Sequence, residues 1–480
     1  MLPEPAVTSK AITSPERIPS HPIGRLRGRL PLEELAEDPR KLRRMILILA
    51  WPMAAEMFLQ TLTQIVDMVM VSRLGEVAVA AVGLSFRPLF FVMSIFLGIS
   101  AGTTALVARS MGSGDREEAH RVTQQTVLAT TGVAIVLSAI LHLLAPGIQR
   151  FMGATPEVLP FGVGYIRSLT WGLVFMHVSH VATAALRGAG DTRTSMKANV
   201  LGNVLNVFLN WVLIFGNLGF PRLGVVGAGI ATSISRAAAA SIVIGLMLME
   251  RLVISLPKRG LLRFEPATFV RVVRVGVPAA MERILLSLAM VLHLKMLAVA
   301  GTTAVAAATL SQNIEEISHM PSIGLSAAAA TLVGQFLGDK RPDSAERSGW
   351  DSTRMAFVFM GLMGLLFSLF PAVWLSIYTP EPDLLAVGSV LIRIMGISQP
   401  FMAVGFVLTG SLRGAGDTMS VMAISAISIW GVRLGLTWVF MHVFSWGPAG
   451  AWIAMVFDSA VRAALAVYVF KRGMWKRVKI

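Results

Sequence analysis

The stretch Leu186-Arg187-Gly188-Ala189-Gly190-Asp191-Thr192 recurs unchanged as Leu412-Arg413-Gly414-Ala415-Gly416-Asp417-Thr418, 226 residues further on. The same shift lays residues 52–121 on 278–347, where 21 of 70 positions are identical without a gap. Pro52/Pro278, Glu56/Glu282, Gly75/Gly301 and Gly98/Gly324 are among them. Low-complexity matching of Ala, Leu and Val does not produce a heptapeptide holding Arg and Asp in that register. The chain is therefore built from two similar halves, and both should adopt one fold.

Each half is apolar. Of 480 residues, 55% are hydrophobic and 14% charged, against about 45–50% and about 25% in a soluble domain. An excess of that size means that lipid faces much of the surface. It excludes a disordered chain and a secreted disulfide scaffold. The absence of cysteine removes thiolate and Cys-metal chemistry. About 20 apolar residues cross roughly 30 Å of hydrocarbon. Windows of that length predict twelve spans, near 45–71, 80–107, 122–144, 161–185, 195–216, 224–249, 270–300, 303–336, 352–378, 384–410, 419–443 and 449–470. A β-barrel is excluded, because its strands would alternate over about ten residues and these runs do not.

The expected fold is all-α and integral to the membrane, with twelve helices as two six-helix lobes. An even count per half brings both halves in from the same side. Such parallel repeats, related by an axis along the membrane normal, are a transporter architecture. The expected organisation is a basic tail at 1–44, one lobe at 45–249, a joint at 250–269, a second lobe at 270–470 and a basic tail at 471–480. The first tail is Pro-rich and lacks the apolar core of a signal peptide; it reads as a mobile tail, or as a surface helix around Leu30–Leu35.

The net charge of +15 is not a nucleic-acid signal. Of the 42 basic residues, 31 fall in the two ends and in the connections on their side of the membrane. The opposite connections hold Arg73, Arg150 and Arg222. The positive-inside rule then puts both termini in the cytoplasm of a cell bounded by this membrane, with the bacterial cytoplasmic membrane as the expected location and a monomer as the expected state.

Four segments carry a family resemblance: Val66-Asp67-Met68-Val69-Met70-Val71-Ser72-Arg73-Leu74-Gly75, the two Leu-Arg-Gly-Ala-Gly-Asp-Thr loops, and Leu209-Asn210-Trp211-Val212-Leu213-Ile214-Phe215-Gly216. Over about 45–470 the chain resembles the multidrug and toxic compound extrusion (MATE) transporters of the multidrug/oligosaccharidyl-lipid/polysaccharide exporter superfamily. The resemblance implies a V-shaped pair of lobes that exports organic, often cationic compounds and drugs in exchange for H⁺ or Na⁺, with no cofactor. It also implies a cation site at Asp67, Asn206, Asn210 and Thr232.

The residues point to the same place on physical grounds. Glu56, Gln60, Thr63, Gln64 and Asp67 share one face of the first span, at helical spacing. Asn199, Asn203, Asn206 and Asn210 share one face of the fifth, each 143 positions after its counterpart. If the stripes face each other, Asp67 meets Asn206 and Asn210 in the outer half of the first lobe. A carboxylate within a membrane is costly and marks a functional site. A proton neutralises it, and Na⁺ would take its oxygens together with carboxamide and hydroxyl oxygens. Either event changes a charge that can bias a two-state helix. The competing reading is that the polar stripes only join helices.

Pro52 can kink the first span, a bend the resemblance links to protonation; a static kink is the alternative. In the second half His293 stands at the repeat position of Asp67. Glu282, Gln60, Gln64 and His293 are candidates for a second coupling or substrate site. Arg433, Asp458 and Arg462 read as an internal ion-pair network, and His177 and His180 as packing histidines. The 27 methionines suit core filling, or an adaptable binding cleft. A lipid-linked saccharide or other anionic-metabolite flippase is the rival reading. Its cavity should be lined with Arg and Lys for phosphate, whereas this stripe is acidic and amidic. No metal cluster, nucleotide loop or nucleophile elbow marks an enzyme.

Overall fold

The structure, a computed structural model, describes residues 31–256, 263–378 and 381–480. Twelve helices among them are long and apolar enough to cross a membrane. They are α2 (Pro39–Ser72), α3 (Glu76–Gly112), α4 (Arg116–Phe151), α5 (Leu159–Gly188), α6 (Thr192–Phe215) and α7 (Gly224–Leu248) in the first half. In the second half stand α8 (Pro266–Ala298), α9 (Thr302–Gly338), α10 (Pro342–Leu369), α12 (Pro382–Gly414), a helix of mixed character at 418–443, and α15 (Gly447–Arg472). A short α1 (Leu32–Glu37) precedes them.

The helices run past the apolar windows at their polar ends. The first does not wait for residue 45: Asp38 caps it by accepting from the Arg40 and Lys41 amides, Pro39 takes the first turn, and Leu42, Met45 and Ile46 are buried. The first membrane helix therefore begins at Pro39, six residues before its apolar window, and the short α1 precedes it with Leu35 buried. Residues 1–30 lie outside the described residues. The ninth span, expected over 352–378, begins at Pro342 and stops at Leu369. Pro371 disfavours helical geometry at Phe370, so residues 371–376 form a separate short helix, α11.

The eleventh span also departs from expectation. It starts as α13 (Thr418–Ala426), widens into π-helical turns over Ile427–Leu434, returns through α14 (Gly435–Trp438), and widens again over Val439–Val443. Such turns rotate every later side chain relative to a regular helix and often occur at functional positions.

The two halves meet at the end of the bundle that carries the start of α2 and the end of α15, here termed the basal end. There Thr331 Oγ1 donates to the Arg187 carbonyl at 3.0 Å, Gln335 Nε2 to the Gly188 carbonyl at 2.9 Å, and Arg109 to the Val478 carbonyl at 2.6 Å. α3 and α9 cross backbone to backbone. A Cβ on Gly112 would lie 1.9 Å from the Gln335 carbonyl oxygen, and one on Gly338 would lie 2.1 Å from that of Arg109. The two glycines are repeat partners, so one small-residue crossing is used twice.

α2 and α8 straddle both halves. The first part of α2 (Leu42, Met45, Ile46, Leu49) is buried in a cluster with Leu332, Phe336 and Leu408 of the second half. Its later part turns to α6 of its own half, where Asn210 meets Asp67. α8 mirrors this: Val272 and Val275 are buried against the first half, whereas Glu282 joins Ser425 of α13. The buried prolines Pro52 and Pro278 sit where each helix changes partner. The missing backbone hydrogen bond at each proline leaves the helix free to bend there. The result is a V whose halves join at the basal end.

The glycine crossing yields a testable expectation. Gly338→Val should hold the basal end open, since overpacking costs about 1–3 kcal/mol, about tenfold or more in population. The chain has no cysteine, so Thr331→Cys, at a position buried in that interface, reports on it cleanly. Maleimide should label Cys at 331 slowly in the parent and about tenfold faster with Gly338→Val; equal rates would remove the crossing as a gate.

Candidate functional site

The constant offset of 143 residues between the α2 and α6 stripes is a real contact register. Asn210 Nδ2 donates to Asp67 Oδ1 at 2.6 Å, and Asn199 Nδ2 donates to Glu56 Oε1 at 2.8 Å, both across 143 positions. With its amide turned toward the carboxylate, Asn206 donates to Asp67 Oδ1 at 3.0 Å and Oδ2 at 3.2 Å. Its oxygen then accepts from Thr232 Oγ1 of α7 at 3.2 Å. Asp67, Asn206, Asn210 and Thr232 thus form one cluster in the part of the first half away from the basal end.

The same stripes do not bring every polar residue to a partner. Thr63 Oγ1 returns to the Leu59 carbonyl of its own helix at 2.8 Å. The side chains of Gln60 and Gln64 make no hydrogen bond among the described residues, and Gln64 is exposed.

The buried acids are balanced in different ways. Glu282, 2% exposed, receives Arg413 NH2 at 2.7 and 2.9 Å, Arg413 Nε at 3.3 Å, and Ser425 Oγ at 2.9 Å. Glu56, half-buried, faces Arg187 NH1 at 3.6 Å as well as Asn199 and Ser195. Each arginine belongs to one copy of the repeated heptapeptide. The heptapeptide therefore turns its arginine back to the glutamate 131 positions earlier in the same half, while its aspartate caps the next helix. Asp191 accepts from the Thr194 amide at 3.1 Å, and Asp417 from the Ser420 amide at 3.2 Å. Asp458 is fully buried and receives Arg433 Nε at 2.8 Å, with Arg462 NH2 at 3.6 Å. The ion-pair network expected for these three residues is present.

Asp67 differs from all of these. It makes no ion pair among the described residues, and its partners are carboxamides. Arg236 lies within its electrostatic reach and that of Glu56, without forming a salt bridge. Asn210 Oδ1 is buried and has no hydrogen-bond partner. An orphaned carbonyl oxygen beside a carboxylate and a hydroxyl is a donor set that suits a hard cation.

His293 is buried, 3.4 Å from Thr437 Oγ1, with Nε2 unpartnered. His177 stacks on Phe96 at 3.6 Å between ring centroids, a packing arrangement. Among the described residues no three His, Cys, Asp or Glu side chains gather as a metal site.

Sequence reasoning overlooked the arginine partners of Glu56 and Glu282, and the repeat relation that puts Asp458 at the position of Thr232. The signal was available. A shift of 226 places Thr232 on Asp458 and Arg236 on Arg462, so the acid of the second half moved from the first helix of the repeat to its last. Arg433 reaches Asp458 from the π-helical stretch, for which the residues give no cue.

Two halves, a V joined at one end, and a polar cluster held inside each half define a multi-pass transporter rather than an enzyme. The MatE family profile matches residues 52–212 and 278–439, one match per repeat, and the chain belongs to this family of multidrug and toxic compound extrusion transporters. It is 32% identical over 451 residues to the probable multidrug resistance protein NorM of Thermotoga maritima, covering 93% of this chain and 95% of that protein. It is 28% identical to the multidrug resistance protein MdtK of Photorhabdus laumondii, covering 90% and 95%. Among solved structures, a MATE transporter in the bent conformation aligns with a TM-score of 0.84 at 25% identity, covering 92% and 96%. A superfamily transporter from Pyrococcus furiosus described as having a binding pocket of reversed polarity aligns at 0.85 and 24%, covering 93% and 99%.

The two glutamate clasps should differ in strength. Removing one partner of a buried ion pair costs about 3–5 kcal/mol, so Glu282→Ala should lower thermal stability in detergent markedly. Glu56→Ala, at a longer pair of 3.6 Å whose glutamate side chain is 13% exposed against 3% for Glu282, should cost less. Equal losses in a melting assay would contradict this ranking.

Proposed function

We propose that the chain is a cation-coupled antiporter that exports amphipathic, often cationic organic compounds by alternating access, with Asp67 as the coupling acid. One observation carries the reading. Glu56, Glu282 and Asp458 each have a guanidinium partner, and Asp67, alone of these four, has none. Its charge is left for a mobile cation to balance.

The mechanism follows from this geometry. With Asp67 ionised, the Asn206 and Asn210 amides donate to it and hold α2 against α6. Arrival of H⁺ or Na⁺ removes the charge that these donors answer. The α2–α6 contact then weakens on the far side of Pro52, where α2 can bend. Because α2 packs on the second half below Pro52 and on the first half above it, such a bend alters how the two halves meet. One charge moving down about 100 mV supplies roughly 2.3 kcal/mol, enough for about a 50-fold substrate gradient.

The basic ends and connections support a cytoplasmic basal end, with the Asp67 cluster in the outer half of the first lobe. The bacterial relatives named as multidrug resistance proteins support drug-like substrates and a bacterial cytoplasmic membrane.

Asp67→Asn keeps the shape and the Asn210 contact but cannot ionise. In proteoliposomes loaded with ethidium, gradient-driven export should fall to the level of empty vesicles, with parental yield and melting temperature. Running Na⁺ and pH gradients separately identifies the ion. Export retained by a folded Asp67→Asn under both gradients would overturn the assignment.

A further inference from the structure

A cavity of about 660 Å³ opens on the flank of the second half, between α2, α9 and α10 and away from the Asp67 cluster. Its wall is apolar, with Leu47 and Trp51 from α2 and Val358 from α10, all three exposed in the structure. At its basal end sit Arg43, Asp351 and Arg354. Asp351 is 4% exposed. It faces Arg43 Nε at 3.5 Å and Arg354 NH1 at 3.4 Å, so two guanidiniums share one carboxylate and leave one positive charge over. Both arginine side chains are largely exposed. Arg354 also lines an adjoining groove with Lys471, which adds to the surplus.

The repeat shows that this arrangement is not a by-product of the architecture. At the repeat-equivalent positions stand Gln125 and Leu128 of α4 and Phe269 of α8. Gln125 is consumed there by the joint between the halves, donating to the Arg263 carbonyl and accepting from the Glu265 amide, each at 2.7 Å. The charged, open version exists only in the second half.

We propose that this cavity binds an anionic phospholipid, with an acyl chain along Leu47, Trp51 and Val358 and the phosphate-bearing headgroup on Arg43 and Arg354. Charge complementarity selects the occupant. A basic pocket between membrane helices at the basal end meets the headgroups of that leaflet, and an exposed apolar trough running inward from it suits a chain rather than a free ion. Asp351 holds the two guanidiniums side by side and limits their net charge. The site would seat a lipid against the part of α2 that packs on the second half.

The test uses the full chain in detergent, titrated with phosphatidylglycerol and with phosphatidylcholine of identical chains, and read by native mass spectrometry. Phosphatidylglycerol should bind about five-fold tighter, the effect of one net basic residue at an anionic headgroup. The triple variant Arg43→Gln, Asp351→Asn, Arg354→Gln leaves no unpaired acid and should abolish that preference. Asp351→Asn alone keeps both guanidiniums and should raise phosphatidylglycerol affinity by about five-fold, an opposite sign that loss of packing does not produce. Equal binding of the two lipids, a preference surviving in the triple variant, or full competition by water-soluble glycerol phosphate would overturn the proposal. Displacement of phosphatidylglycerol by ethidium would assign the cavity to substrate and overturn it as well.

Discussion

A carboxylate surrounded by hydrocarbon has to be answered, and the kind of answer decides what it can do. Glu56, Glu282 and Asp458 are answered by arginines supplied from the chain itself. Such pairs are expensive to desolvate and contribute register more than net stability. Asp67 is answered by two carboxamides, which hydrogen-bond to it without cancelling its charge. That difference separates three structural acids from one that a transported ion can discharge. It also gives the halves distinct roles, because at the repeat position of Thr232 the second half holds Asp458 with its own guanidinium in place.

The packing turns a local charge change into a movement of halves. α2 and α8 each belong to one half at the basal end and to the other beyond a buried proline. Any shift of α2 against α6 is therefore felt across the interface as well as within the lobe. The interface itself is built for close approach, with Gly112 and Gly338 allowing α3 and α9 to touch at the backbone. Contacts of this kind are either made or lost, since backbones in contact have no side chains that can adjust. A switch between two discrete arrangements is the physical form that alternating access requires.

Much of this was legible in the residues. The unchanged heptapeptide gave the two halves, and the offset of 143 gave both the α2–α6 pairing and the partners of Asp67. These are periodic signals, and helical geometry converts them directly into contacts. The heptapeptide's own purpose was not read. Its arginines meet Glu56 and Glu282 in three dimensions over more than a hundred residues, and no local spacing announces that. Asp458 reads from the residues as a partner of Arg433 and Arg462, but its place as the repeat partner of Thr232 is hidden by a change of residue type. The π-helical turns that aim Arg433 have no sequence signature, and the polar start of α10 reads as a loop because Glu346, Arg347 and Asp351 interrupt the apolar window. Tertiary partners at the basal end, not hydropathy, keep that turn helical.

The account stands on Asp67 being the acid that changes state while the other three stay ionised. Infrared difference spectroscopy on the reconstituted protein, recorded as pH or Na⁺ is stepped, reads carboxyl groups directly. A single carboxyl change should be present in the parent and in Glu56→Gln, Glu282→Gln and Asp458→Asn, and absent from Asp67→Asn. A change that persists in Asp67→Asn, or disappears with one of the arginine-paired acids, would contradict the account.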